Sequence, residues 1–203
     1  MSDPAPGLLA GPDGVVRCAW AGVDPLYVDY HDTEWGRPVR GDTALFERLS
    51  LEAFQSGLSW IVVLRKRPAF REAFAGFDPQ VVAAMGEPDI ARLMADAGIV
   101  RNRAKITAVI GNARALLAWQ EREGDGVLDA AVWAGHSPAS PRPVDPSHVR
   151  AVSQESTNLA RLLKARGFSF VGPTTMHAAL QACGVIDEHL QGCSVATGPS
   201  GVV

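Results

Sequence analysis

Asp96-Ala97-Gly98-Ile99-Val100-Arg101-Asn102-Arg103-Ala104-Lys105-Ile106 is the stretch on which the fold turns. Ile90, Leu93 and Met94 recur at helical spacing just before it. Gly98 offers a permissive backbone, and Asn102 can accept a hydrogen bond from the first free amides of a new helix. The span reads as a tight hairpin between two helices, the second running to about Trp119.

Helical periodicity continues outward in both directions. On the N-terminal side Asp42 reads as the cap of a helix that turns Leu45, Phe46, Leu49 and Phe54 inward and stops at Gly57. Another follows from Ser59 with Trp60, Val63 and Leu64 on its apolar side, and Pro68 opens a further short helix ending near Gly76. Asp78-Pro79 and Glu87-Pro88 put proline where a helix begins. On the C-terminal side Gly124 and Gly126 break the chain before a short helix at residues 127–133. A proline-rich connector at residues 137–146 crosses between lobes, and helices resume at about 156–166 and 174–183. Strand alternation is almost absent, so the expected fold class is all-α.

A chain of 203 residues, 47% apolar and 20% charged, has the balance of a soluble globular domain. No apolar run is long enough to span a bilayer, and no membrane role is expected. Residues 1–16 are rich in Pro, Gly and Asp and read as a flexible leader, not a secretion signal; residues 17–193 form a single domain of two helical lobes; residues 194–203 are a flexible tail. Three cysteines do not make a disulfide scaffold and point to a reducing compartment, the cytoplasm. A net charge of −3 does not advertise a nucleic-acid binder. Basic residues nonetheless cluster at Arg65, Lys66, Arg67 and Arg71, at Arg101, Arg103 and Lys105, and at Arg161, Lys164 and Arg166. They are either solvated helix faces or local phosphate contacts.

Two constellations carry chemistry. Cys18 and His31 lie near one end of the chain, His189 and Cys193 near the other. The latter two are four apart, so on a helical turn they point the same way. Two thiolates and two imidazoles make the closed tetrahedral set of one structural zinc per chain, which would tie the termini together. The alternative is two buried thiols and two unrelated histidines. Cys183, the spare thiol, reads as core. The second constellation is aromatic: Trp20, Tyr27, Tyr30, Trp35 and Trp60. Glu52 sits in the apolar run Leu51-Glu52-Ala53-Phe54-Gln55, either exposed on an outer face or aimed into a pocket. Rings around a carboxylate suit a cationic purine, because the rings attract its charge and the carboxylate accepts from its exocyclic amine.

Asp24-Pro25-Leu26-Tyr27, Tyr30-His31-Asp32-Thr33-Glu34-Trp35-Gly36 and Glu52-Ala53-Phe54-Gln55-Ser56-Gly57-Leu58-Ser59-Trp60 resemble the DNA-3-methyladenine glycosylase I family. So do the hairpin stretch, Ile110-Gly111-Asn112-Ala113, Arg166-Gly167-Phe168-Ser169-Phe170-Val171-Gly172-Pro173-Thr174, Gln181-Ala182-Cys183-Gly184 and the segment from His189 to Cys193. The resemblance implies a helix-hairpin-helix glycosylase fold with a zinc site tethering the two ends through Cys18, His31, His189 and Cys193. It implies a monomeric, monofunctional repair enzyme that flips 3-methyladenine out of alkylated double-stranded DNA and excises it hydrolytically, leaving an abasic site. Glu52 becomes the base-recognising and catalytic carboxylate, Trp60 and Tyr30 lie against the base, and Tyr27 and Trp35 line the pocket. Gly57 and Leu58 fill the gap in the duplex, and amides near Gly98, flanked by Arg101 and Arg103, meet a phosphate.

Three departures from the family stand out: the extra leader before Arg17, His177 where tyrosine is common, and a tail without further cysteines. Sister helix-hairpin-helix glycosylases place an aspartate after the hairpin helix, whereas Arg103 through Gln120 contains no carboxylate. Selectivity then rests on the pocket, and cleavage on a leaving group that departs neutral. No lyase lysine is evident. A catalytic zinc hydrolase is disfavoured because four protein ligands leave no position for water. The alternative of a non-catalytic, zinc-stabilised DNA-binding module of the same fold has no use for Glu52 and the rings.

Overall fold

The structure, a computed structural model, describes residues 4–136 and 141–195. Parts of the expected leader (1–3), connector (137–140) and tail (196–203) lie outside the described residues. Among the described residues the order is β1 (Leu8–Ala10), β2 (Val16–Cys18), α1 (Pro25–Thr33), α2 (Asp42–Gln55), α3 (Trp60–Ala73), α4 (Pro79–Ala84), α5 (Glu87–Ala95), α6 (Arg103–Glu123), α7 (Val127–Trp133), α8 (Gln154–Ala165) and α9 (Pro173–Ala182). The fold is mostly helical.

Helix α2 runs through the middle and packs on α3, α6, α7 and α9, while α4 lies on α6 and α8 on α9. That position explains why its buried residues are not confined to one stripe: Leu45, Phe46, Leu49, Leu51, Glu52, Ala53 and Phe54 are all buried. Phe54 meets Phe70 and Phe74 with ring centroids 4.6 and 5.9 Å apart. Each such fully buried ring contributes about 1.5–3 kcal/mol of transfer free energy.

The decisive stretch joins α5 to α6, and the Asn102 side chain caps α6 by accepting from the Lys105 amide at 3.2 Å. Gly98 is there for a different reason from the one its sequence suggested. Its φ is not positive, and an added Cβ would lie 3.0 Å from Ala69 Cβ and 2.9 Å from Asp96 Oδ1. Only glycine lets the hairpin close onto α3. Lys66 of α3 completes the staple, donating to the carbonyls of Ala97 at 2.7 Å and Gly98 at 3.2 Å.

Several local expectations are corrected. Pro68 opens no new helix but lies inside α3. Val63, Leu64, Phe70 and Ala73 are buried along that one helix, and their packing outweighs the roughly 3 kcal/mol that an interior proline costs. Asp42 does not cap its own helix; it sits in the first turn of α2, and its carboxylate accepts from the amides of Gly126 (3.0 Å) and Asp129 (2.9 Å) at the start of α7. The all-α expectation fails at the N-terminus, where the segment read as a flexible leader forms β1 and pairs antiparallel with β2, Leu8 opposite Cys18. Leu8 packs into a small second cluster with Cys18, Leu190, Cys193 and Val195.

Candidate active site

The burial of α2 decides between the two readings of Glu52. Its side chain is 4% exposed and lines a cavity of about 430 Å³. Burial pushes its carboxyl up to about 8, with Arg48 one turn earlier opposing the shift. Arg48 cannot compensate fully because its guanidinium is shared with Glu34 at 2.8 Å. Burial also works against the Glu34 carboxylate, but Arg67 and Arg48 hold it at about 2. This triad locks the end of α1 to α2 and α3.

Helix α1 starts where Asp24 accepts from the Leu26 amide at 3.0 Å and Pro25 takes the first position. Tyr27, Tyr30 and His31 then fall on one face. Both tyrosines line the cavity, with Trp20, Trp35 and Trp60. Tyr30 and Trp60 have ring centroids 5.4 Å apart, and Trp20 lies 5.1 Å from Tyr27 and 4.9 Å from Trp35. The Trp60 indole N–H is buried without a partner. All five rings and Glu52 therefore converge on one space. The same cavity also takes Gln55, Gln181 and Glu188. Gln55 was findable, lying one turn from Glu52; Trp20 was noticed in sequence but given no role. Gln181 and Glu188 carried no such signal.

Beside this cavity Cys18, His31 and Cys193 bring one donor atom each within 4.8 Å of one another. His31 Nδ1 is bound to Asp32 at 2.8 Å and His189 Nδ1 to Asp187 at 2.9 Å, which leaves both Nε2 atoms for another partner. His189 lies next to the three-residue set, its ring 5.1 Å from that of His31, and its Nε2 is buried with no partner. The expected helical turn from His189 to Cys193 is absent. The chain instead bends at Gly192, φ +90°, with the Cys193 amide on the Leu190 carbonyl at 3.0 Å. Trp35 packs 4.5 Å from His189, so the cluster backs directly onto the aromatic wall. The segment read as a leader contributes too: its Asp13 accepts from Arg17 at 2.8 Å, and Arg17 also donates to Asp32 at 2.7 Å.

Gly57 and Leu58 form the turn from α2 to α3. Gly57 has φ +83°, and the turn is closed by the Leu58 amide on the Gln55 carbonyl at 2.7 Å. Leu58 is exposed, presenting an apolar side chain beside Gln55 and Trp60 of the cavity. Beneath it the buried ammonium of Lys105 donates to the carbonyls of Phe54 (3.0 Å) and Ser56 (2.6 Å). Lys105 thus braces this turn and is not available to a phosphate. The basic clusters largely resolve into internal pairs, Arg65 with Asp24, Arg67 with Glu34, Arg71 with Glu47, Arg103 with Glu87 and Arg166 with Glu123. Arg101 and Arg103 are exposed at the hairpin. The Gly98 amide expected to meet a phosphate instead donates to Asp96 at 2.7 Å.

A buried carboxylate in a ring-lined cavity, with a rigid apolar turn at its rim and a helical hairpin alongside, defines a class of protein: a base-extruding enzyme of the DNA glycosylase kind. The chain belongs to the methyladenine glycosylase family, whose pattern it matches over residues 20–196. It is 47% identical over 179 residues to the DNA-3-methyladenine glycosylase 1 of Escherichia coli (strain K12), covering 87% of this chain and 95% of that protein. It is 43% identical to the DNA-3-methyladenine glycosylase of Haemophilus influenzae, covering 89% and 98%. A solved 3-methyladenine DNA glycosylase I from Staphylococcus aureus superposes with a TM-score of 0.82 at 36% identity, over 88% of this chain and 95% of that one.

Proposed function

We propose that this protein extrudes an alkylated adenine from the duplex into the cavity and removes it by hydrolysis as 3-methyladenine, leaving an abasic site. The observation that carries the reading is Glu52, a carboxylate 4% exposed in a cavity walled by five aromatic rings. In the empty cavity at neutral pH a carboxyl near 8 keeps its proton. A cationic base brought alongside favours the ionised form, which then accepts from the exocyclic amine. Neutral adenine offers no such charge, so discrimination begins at this group. The rings of Tyr30 and Trp60 take the base, with Tyr27, Trp20 and Trp35 adding faces and edges that attract its charge. Because the methylated base is cationic, breaking its glycosidic bond releases it neutral, and little proton donation is required.

Gly57 and Leu58 supply the apolar wedge for the gap left in the stack, and exposed Arg101, with Arg103 exchanging its Glu87 partner for a phosphate, faces the backbone of double-stranded DNA. The reading is of one chain acting alone in the cytoplasm, without lyase chemistry, since Lys105 is committed to the Phe54 and Ser56 carbonyls. Cys18, His31, Cys193 and His189 fit one zinc ion: two sulfurs and two nitrogens, with the His189 Nε2 a buried atom lacking any other partner. A zinc bound by all four is closed to water and supplies structure, tying the chain ends behind Trp35. Asp32 and Asp187 orient the two imidazoles for it.

The test is titration of the protein with free 3-methyladenine, followed by tryptophan fluorescence. Quenching is expected in the wild type, and its loss in Glu52→Gln and Trp60→Ala. Undiminished binding by both variants would place the base elsewhere.

A further inference from the structure

The base-recognition end of the cavity uses Glu52, yet among the described residues lining the cavity there is a second carboxylate, Glu188. It is 5% exposed and deliberately held. Its Oε2 takes hydrogen bonds from Gln181 and from His177 Nε2, the latter at 3.3 Å, and its Oε1 lies 3.4 Å from Arg150 Nε. Both acids line the one cavity, each with its own partners. Arg48 is the charged neighbour of Glu52, and Arg150 that of Glu188. The helix after the hairpin, where a carboxylate for the sugar would be sought, has none from Arg103 through Gln120.

We propose that Glu188 is the carboxylate that faces the deoxyribose of the extruded nucleotide. This rests on the reading of the cavity as the site of base excision. Glu188, Gln181 and Val149 line the same cavity as Glu52 and the rings, and a base held by Glu52 and the rings leaves them to the sugar. As the C1′–N9 bond breaks, its electron pair leaves with the base, which becomes neutral, and positive charge develops on the sugar. The Glu188 anion lies against that charge and accepts a hydrogen bond from the attacking water. The water oxygen forms the new bond to C1′, and its proton is released to solvent. Interactions realised only in this charged state raise the rate without tightening substrate binding.

The experiment compares binding of two duplexes, one with a neutral tetrahydrofuran abasic residue and one with a pyrrolidine residue whose ring nitrogen is protonated. Wild type is expected to prefer the cationic ring about tenfold or more, a difference of about 1.4 kcal/mol. Glu188→Gln should bind the neutral duplex as wild type does and lose the preference. Arg150→Gln, a change at the surface, should enlarge it by leaving the carboxylate less compensated. The proposal is overturned if wild type shows no preference, or if Glu188→Gln keeps it, whether or not affinity for both duplexes falls together. If Glu188→Gln does not fold, Arg150→Gln decides, and an unchanged or smaller preference counts against. Release of 3-methyladenine by the same wild-type preparation is scored separately, so failure of the activity reading and failure of this assignment are distinct results.

Discussion

In the role proposed for it, Glu52 serves function at the expense of folding. Unfolded, its carboxyl titrates near 4.5; folded, near 8. Between those values the folded chain keeps a proton that the unfolded chain has released, so stability is fully present below about 4.5 and is lost as pH rises through about 8. At about 1.4 kcal/mol per pKa unit the loss amounts to a few kcal/mol. Glu52→Gln should therefore melt higher than wild type at pH 8.5, with the difference vanishing near pH 4, while base excision is lost. Equal melting temperatures at both pH values would mean that the carboxyl is not desolvated. An acid inside Leu51-Glu52-Ala53-Phe54 stood out in the sequence, but the pattern left an exposed face and a pocket both open, and only the family resemblance implied the pocket. Glu188 gave no such warning. It lies in a loop, and its burial comes from His177 and Gln181 on α9 and from Arg150, 38 residues away in sequence.

At the scale of elements, local chemistry was readable and partners were not. The Asn102 cap, the α7 limits and the prolines opening α4 and α5 depend on neighbours within a turn, and the sequence carries that information directly. Asp42 looked like a cap and is one, but for a helix that begins 85 residues later, a choice made by tertiary packing. β1 was missed because three residues of strand leave too little alternation to see. Lys105 was counted with the basic residues, whereas its ammonium joins the hairpin helix to the turn carrying Gly57 and Leu58. Lys105→Met should leave two carbonyls without their donor and cost about 1–3 kcal/mol of stability. Because that turn carries the wedge proposed above, the variant should also lose affinity for a lesion duplex more than for an undamaged one. Equal losses on both duplexes, or none, would separate Lys105 from the wedge.

At the scale of the whole molecule, described segments from the N-terminal and C-terminal parts of the chain meet behind the aromatic wall. Cys18 and His31 come from the start, His189 and Cys193 from the end, and Trp35 stands between that cluster and the cavity. The four residue types were legible as a set; their convergence through a bend at Gly192 was not, since it depends on contacts from Leu8 and Cys18 to Leu190. The rest of the molecule holds five rings and the buried Glu52 carboxyl around a space suited to a cationic purine, with Glu188 also in the lining, and the most direct test is the product itself. DNA treated with a methylating agent should be incubated with wild type and with Glu52→Gln, and the released bases separated and quantified. The account predicts free 3-methyladenine from wild type, with far less 7-methylguanine, and little of either from the variant. Release of no base by the wild type, or equal release of 3-methyladenine by Glu52→Gln, would contradict it.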